Sequence, residues 1–297
     1  MEREGMKLVT FSGRDVPAQN SSALLSRDVP TPGVLIGDEV ADLTSLGYPS
    51  VLSILEGGAR AQAEIAEKLE KAPRVALSDV TLHAPLRPPR VFGVGLNYAK
   101  HAAESKMTVP KVPTVFMKLS SSVVGPDVDV ILPKVSSQPD YEAELGVVIG
   151  KAGYQVAAAD WEQYVYGYTI VNDVSARDIQ LATSQWTLGK SFPTFTPMGP
   201  AIVSADEVGD PHTLGIALAI NGETLQNSNT SDLIFKIPAL IEYISTMTPL
   251  EAGDVISTGT PEGVGLGRTP QRWLKPGEEM VVTIEKLGTL RNKTVAE

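Results

Sequence analysis

The stretch Asp140-Tyr141-Glu142-Ala143-Glu144-Leu145-Gly146-Val147-Val148-Ile149-Gly150 constrains this 297-residue chain more than any other. Side chains alternate faces along a strand, so Glu142 and Glu144 project from one side and Tyr141, Ala143 and Leu145 from the other. Residues 146–150 are too apolar for a strand lying in water, which makes this a buried strand. Two carboxylates on one face of a buried strand repel each other and are costly unless a cation sits between them. An oxygen-ligated divalent metal site is therefore the first reading. The other is that Glu142 and Glu144 form the solvated face of an ordinary strand.

The composition sharpens this reading by exclusion. The sequence has no cysteine, which removes disulfide scaffolds, thiolate nucleophiles and Cys-ligated zinc or iron–sulfur sites together. It also points to a reducing compartment, so a cytoplasmic location is expected. With only His83, His101 and His212 available, any metal site leans on oxygen donors. A net charge of −10 argues against nucleic acid as a partner, because binding phosphates needs a basic surface. No apolar run approaches the roughly 20 residues of a membrane span. The start, Met1-Glu2-Arg3-Glu4-Gly5, does not read as a signal peptide, so no membrane partner is expected.

Residues 1–80 read as a small N-terminal unit. Strands are predicted at 7–11, 34–36 and 40–43, and a helix over 59–71, separated by Gly57-Gly58 from a shorter one beginning after Pro49-Ser50. The proline-rich run Pro85-Leu86-Arg87-Pro88-Pro89 marks a boundary. Beyond it, over 85–297, strands are predicted at 91–94, 114–118, 142–149, 166–172, 214–220, 254–258 and 280–285. Asn221-Gly222 signals a hairpin, and a helix is predicted over 237–245 with Pro238 in its first turn. Strands outnumber helices and do not alternate with them. The expected class is thus mixed α/β but mostly β, a β-roll or barrel-like domain rather than a doubly wound sheet.

Asp173 ends the predicted strand 166–172 and, with Glu142 and Glu144, offers three carboxylates suited to Mg²⁺, Mn²⁺ or Ca²⁺. The run Gly93-Val94-Gly95-Leu96-Asn97-Tyr98 hints at a dinucleotide loop, but Tyr98 stands where the third glycine belongs and no βα repeat follows. His101 and Glu104, three residues apart, become neighbours on a helical turn. There the carboxylate can orient the imidazole and raise its basicity; the alternative is an ordinary surface pair. Lys118 and Lys190 can offset the acidic charge or bind an anionic substrate group. The loop Ser257-Thr258-Gly259-Thr260-Pro261-Glu262-Gly263-Val264-Gly265 is either a tight turn or a place where backbone N–H groups and Thr260 approach an oxyanion.

As an ordered set these motifs are far more specific than any one alone. Gly-Leu-Asn-Tyr-x-x-His-x-x-Glu at 95–104, Asp-Tyr-Glu-x-Glu at 140–144, Asn-Asp-x-Ser-Ala-Arg-Asp at 172–178, Gly-Lys-Ser-Phe at 189–192 and Thr-Gly-Thr-Pro-x-Gly-Val-Gly at 258–265 resemble the fumarylacetoacetate hydrolase family. The resemblance covers roughly 85–297 and implies a β-roll catalytic domain that forms homodimers, with residues 1–80 as the small N-terminal domain many bacterial members carry. It implies Glu142, Glu144 and Asp173 as ligands for Mg²⁺ or Mn²⁺, occasionally Ca²⁺. It implies His101 and Glu104 as an acid–base dyad on a lid, and Lys190, Gln180 and Thr260 as contacts to substrate oxygens. Gly259, Lys118 and Arg177 join the expected substrate-binding set. One departure is Pro193, where many bacterial members have Asp.

The expected activity is metal-dependent hydrolysis of a C–C bond in a 1,3-dioxo acid such as an acylpyruvate. In that reaction the ion stabilises the enolate that leaves, and His101, oriented by Glu104, activates water. Decarboxylation of oxaloacetate, or isomerisation of a 2-hydroxymuconate-type acid, uses the same site without the nucleophilic water. A non-catalytic metal-binding protein is the rival from another class, and the dyad argues against it. Specificity is expected to lie in Ser105–Val112 and around Pro193.

Overall fold

The computed structural model describes residues 5–13, 30–104 and 109–297. Among them, twelve strands build one large sheet, in the order Arg74–Ala76, Glu39–Asp42, Thr31–Ile36, Lys7–Gly13, Thr196–Ser204, Val165–Asn172, Ala143–Ile149, Val255–Ser257, Val91–Gly95 and Thr114–Lys118. Two further strands branch from this path: Val80–His83 pairs with Lys7–Gly13, and Val123–Val124 with Thr196–Ser204. A second sheet of five strands runs Glu223–Asn229, Gly215–Ile220, Glu279–Ile284, Gly288–Ala296 and Val130–Leu132. The class is mixed α/β with strands dominant. Among the described residues no helix is long and apolar enough to cross a membrane.

The strand Ala143–Ile149 is buried at every position, because each face meets a different core. Ala143, Leu145, Val147 and Ile149 pack with Ile216, Leu218, Val282 and the helix Ile237–Met247. Val148, on the opposite face, packs with Leu8, Val34, Ile54, Met198 and Val255. Burial on both sides is what the near-continuous apolar run encodes. The same cluster joins the first 80 residues to the rest, and the sheet does so too: Lys7–Gly13 pairs with Thr196–Ser204, placing Leu8 opposite Ile202.

Local signals act as physics requires. Asn221 and Gly222 both adopt positive φ (50° and 84°), the conformation of a tight two-residue hairpin joining Gly215–Ile220 to Glu223–Asn229. In the helix Val51–Lys68, Ser50 and Ser53 form a reciprocal capping box, and Gly58 (φ 55°) breaks the helical path between two helical stretches.

The register gathers the site at one end of the central strands. Ala143–Ile149 is antiparallel to both neighbours, with Ala143 opposite Asn172 and Gly146 opposite Ser257. The residues following Asn172 and Ser257 therefore arrive beside Glu142 and Glu144. Val91–Gly95 is parallel to Val255–Ser257, so the chain leaving Gly95 towards the helix Ala99–Glu104 enters the same region.

Candidate active site

Glu142, Glu144 and Asp173 converge: one carboxylate oxygen from each lies within 4.8 Å of the others, and all three residues are buried. They line a pocket of about 480 Å³ open to solvent together with His101, Arg177, Gln180, Lys190, Thr260 and an apolar wall of Leu96, Phe116, Trp186 and Leu266. The alternative of a solvated strand face is excluded by this burial.

A shell of donors fixes each acid. The Arg177 guanidinium donates from Nη2 to Glu142 Oε1 (2.5 Å) and from Nε to Asp140 Oδ2 (2.8 Å). Lys190 Nζ bridges Glu142 Oε2 (2.5 Å) and Asp173 Oδ2 (2.8 Å). Burial alone would raise the Glu142 carboxyl, but Arg177 and Lys190 outweigh it and hold it well below the usual carboxylate range. Burial likewise works against the Lys190 ammonium, yet Asp173 and Glu142 raise it above its ordinary value. Among the described residues no cation forms an ion pair with Glu144. Ser257 Oγ (2.6 Å) and Gly259 N (3.0 Å) donate to its Oε2, while burial and the neighbouring Asp173 and Glu142 charges push it well above the usual range.

This arrangement fits a divalent cation. Asp140, Glu142, Glu144 and Asp173 are four buried carboxylates against the three buried cations Lys118, Arg177 and Lys190, which leaves one negative charge in excess. The repulsion is concentrated on Glu144. A hard ion between the three convergent oxygens relieves it, and the donor set suits Mg²⁺ or Mn²⁺.

His101 and Glu104 are brought together at the pocket rim. His101 Nδ1 lies 3.2 Å from Glu104 Oε1, and Gly263 N donates to both oxygens of Glu104 at 3.0 Å. The dyad is thus anchored to the loop after Val255–Ser257. His101 is only 6% exposed, so the surface-pair alternative fails.

Several expected substrate contacts change role. Lys118 does not line the pocket. Its ammonium donates to Asp173 Oδ1 (2.5 Å) and faces the carbonyls of Val174, Lys190 and Phe195, so all three of its protons are spent inside the protein. Burial pushes this ammonium down, and Asp173 is its main support. Arg177 does line the pocket, but each guanidinium nitrogen already has a partner, the third being Gln180 Oε1 at 3.0 Å. Gly259 N–H is committed to Glu144 rather than to an oxyanion. Its φ of 100°, and a Cβ that would fall 2.8 Å from Asn97 Cβ, explain why glycine stands there. Pro193 is exposed and outside the pocket wall. Of Ser105–Val112, residues 105–108 lie outside the described residues; Val109 and Val112 are exposed.

Other expected substrate contacts keep free donors at the pocket. Lys190 has a third N–H, and Gln180, whose Oε1 is taken by Arg177, keeps an NH₂ without an acceptor among the described residues. Thr260 faces the pocket as well. Three further residues have site roles that the sequence alone does not give them. Asp140 accepts from Gly265 N, Leu266 N and Arg177. Asn97 ties Thr258 O to Phe235. Gln226 links Ala143, Thr260 and Pro261. Asp140 and Asn97 lie inside the recognised motifs, whereas Gln226 carries no local signal.

Residues 90–295 match the family model described as fumarylacetoacetate (FAA) hydrolase C-terminal, and the chain belongs to the fumarylacetoacetate hydrolase family. It is 45% identical over 266 residues to the mitochondrial oxaloacetate tautomerase Fahd2a of Rattus norvegicus, covering 88% of this chain and 85% of the relative. Among solved structures it is similar to a fumarylacetoacetate hydrolase from Exiguobacterium antarcticum (34% identity, TM-score 0.84, 98% of this chain and 100% of that one). It is also similar to a maleylpyruvate hydrolase from Sphingobium sp. SYK-6 in complex with manganese(II) and pyruvate (30% identity, TM-score 0.80, 98% and 99%). The family is enzymatic, and these relatives act on small acids. The cytoplasmic location expected from the composition is overturned, since the Rattus relative, like a human one 47% identical over 238 residues, is mitochondrial by name. Absence of cysteine speaks to disulfide chemistry and does not distinguish one reducing compartment from another.

Proposed function

We propose that this chain catalyses keto–enol exchange on a short 2-oxo acid of the oxaloacetate type, with His101 as the proton carrier and Glu104 as its positioning partner. The observation that carries this reading is the placement of the His101–Glu104 pair in one pocket with the three convergent carboxylates and the free donors of Lys190, Gln180 and Thr260. It reverses the order expected from the motifs. The tautomerase relative is 45% identical and the named hydrolase structures 30–34%.

With Nδ1–H donated to Glu104, the imidazole lone pair rests on Nε2. His101 can then take a proton from the carbon beside the keto group and deliver it to the keto oxygen, or carry it back from the enol oxygen to that carbon, which interconverts keto and enol forms without a net change in composition. Lys190, Gln180 and Thr260 orient the substrate through its oxygens and favour the form that carries more negative charge. When bound at Glu142, Glu144 and Asp173, Mg²⁺ or Mn²⁺ supplies positive charge that lowers the cost of an enolate. The apolar wall of Phe116, Trp186 and Leu266 restricts water on one side of the site.

A second reading is C–C hydrolysis of an acylpyruvate, in which the same pair activates water; likeness to the maleylpyruvate hydrolase favours it. Decarboxylation of oxaloacetate is a third outcome. The test offers enol-oxaloacetate, keto-oxaloacetate and acylpyruvates side by side with Mg²⁺ or Mn²⁺ and identifies products. Accelerated loss of the enol absorbance with oxaloacetate recovered intact supports tautomerisation. Release of CO₂, or of pyruvate and a second acid, from the substrates turned over fastest would replace it.

A further inference from the structure

The Gln226 side chain lies in the second sheet and is 1% exposed, yet its amide joins three separate elements. Its Oε1 accepts from Ala143 N (2.9 Å) at the start of the metal-site strand. Its Nε2 donates to Pro261 O (2.9 Å) and to Thr260 Oγ1 (2.8 Å). Two of these partners are backbone groups of fixed polarity. If the amide were flipped, its NH₂ would meet the Ala143 N–H and its oxygen would meet the Pro261 carbonyl, so neither contact could form. The orientation is therefore set by the main chain, and Thr260 Oγ1 must act as an acceptor towards Gln226.

A threonine hydroxyl has one proton. Because its oxygen accepts from Gln226, that proton is turned elsewhere, and among the described residues no protein acceptor takes it. Thr260 lines the pocket beside Glu144 and His101 and is 3% exposed, so the proton is presented to whatever occupies the pocket. We infer that Gln226 is a positioning residue that makes Thr260 an obligate hydrogen-bond donor to a substrate oxygen. The inference rests on the proposed reading of Thr260 as a substrate contact. It accounts for a buried glutamine in a strand whose sequence, Glu223-Thr224-Leu225-Gln226-Asn227-Ser228-Asn229, carries no motif.

The test is a double-mutant cycle on the metal-loaded full chain, using oxaloacetate tautomerisation and, in parallel, acylpyruvate hydrolysis. Gln226→Leu and Thr260→Val are each expected to lower kcat/KM at least about tenfold, the scale on which removal of a single pre-aimed donor acts. The Thr260→Ser variant retains the hydroxyl, stays active and remains sensitive to Gln226→Leu. In the Thr260→Val background Gln226→Leu has little further effect on kcat/KM, although it still lowers Tm there, because its bonds to Ala143 N and Pro261 O are lost in either background. If Gln226→Leu does not fold, Gln226→Glu replaces it. The carboxylate still accepts from Ala143 N but cannot donate, so it captures the Thr260 proton and gives the same loss. Full multiplicative losses in the double variant would overturn the role of Gln226 and reduce it to structural support. An unchanged kcat/KM in Thr260→Val would instead refute the reading of Thr260 itself.

Discussion

Replacing Lys118 by methionine separates a buried structural cation from a substrate-binding one. The methionine fills similar volume but leaves Asp173 Oδ1 and the carbonyls of Val174, Lys190 and Phe195 without the ammonium that now serves all four. Removing one partner of a buried ion pair costs about 3–5 kcal/mol; Lys190 still bonds Asp173 Oδ2, but Asp173 Oδ1 and three buried carbonyls lose their donor. At an unfolding entropy of about 2.1 cal/mol/K per residue, 297 residues give about 0.6 kcal/mol/K near Tm, so the variant should melt about 5–8 °C below the parent. The assay is a thermal melt of the chelator-treated protein, which keeps metal affinity out of the comparison. Steady-state kinetics on the metal-loaded form run beside it. An unchanged Tm together with a raised KM would refute the reasoning and return Lys118 to the substrate site.

Two further expectations follow from the shell around Glu144. Gly259→Ala places a Cβ 2.9 Å from the Val94 carbonyl at a φ of 100°, shifting the N–H that holds Glu144. Displacing a group that orients a metal ligand should weaken Mn²⁺ affinity about 10–100-fold by isothermal titration, and unaltered affinity would count against the triad. Adding Mn²⁺ to chelated protein at about 100 times its Kd should stabilise it by about 3 kcal/mol, seen as a rise in Tm of about 4–5 °C on the entropy scale above. Glu144→Gln should remove that rise. If the variant keeps it, the ion binds elsewhere.

The convergence of Glu142, Glu144 and Asp173 is legible because its signal is local. Two acids at strand spacing precede an apolar run, and a third follows a second strand. The His101–Glu104 pair was legible for the same reason, as neighbours on one helical turn. The roles of Lys118, Arg177 and Gly259 were not, because each depends on partners brought in by the fold. The acceptors of Lys118 lie 55 to 77 residues further along the chain. Among the strands, Thr196–Ser204 went unpredicted although it lies inside the main sheet. Pro197, Gly199 and Pro200 disguise it, since proline and glycine argue against a central strand. Gly288–Ala296 was missed because two of its inward positions are the polar Asn292 and Thr294. Asn292 bonds to the carbonyls of Gly125 and Val128, and Thr294 to those of Lys275 and Glu278, so burial there leaves no hydrophobic alternation. The proline run at 85–89 punctuates the chain without interrupting the sheet, because the pairing of Lys7–Gly13 with Thr196–Ser204 reaches across it.

In the proposed reaction His101 moves the proton while the three carboxylates hold the ion. The decisive measurement follows enol-oxaloacetate ketonisation in the Mn²⁺-loaded parent and in His101→Gln. The expected result is a loss of about 10²–10⁴-fold in the catalysed rate, the usual worth of a positioned acid–base group, with the Mn²⁺-induced rise in Tm unchanged. A variant that still tautomerises at the parental rate, or that loses the Mn²⁺ response along with its activity, would contradict it.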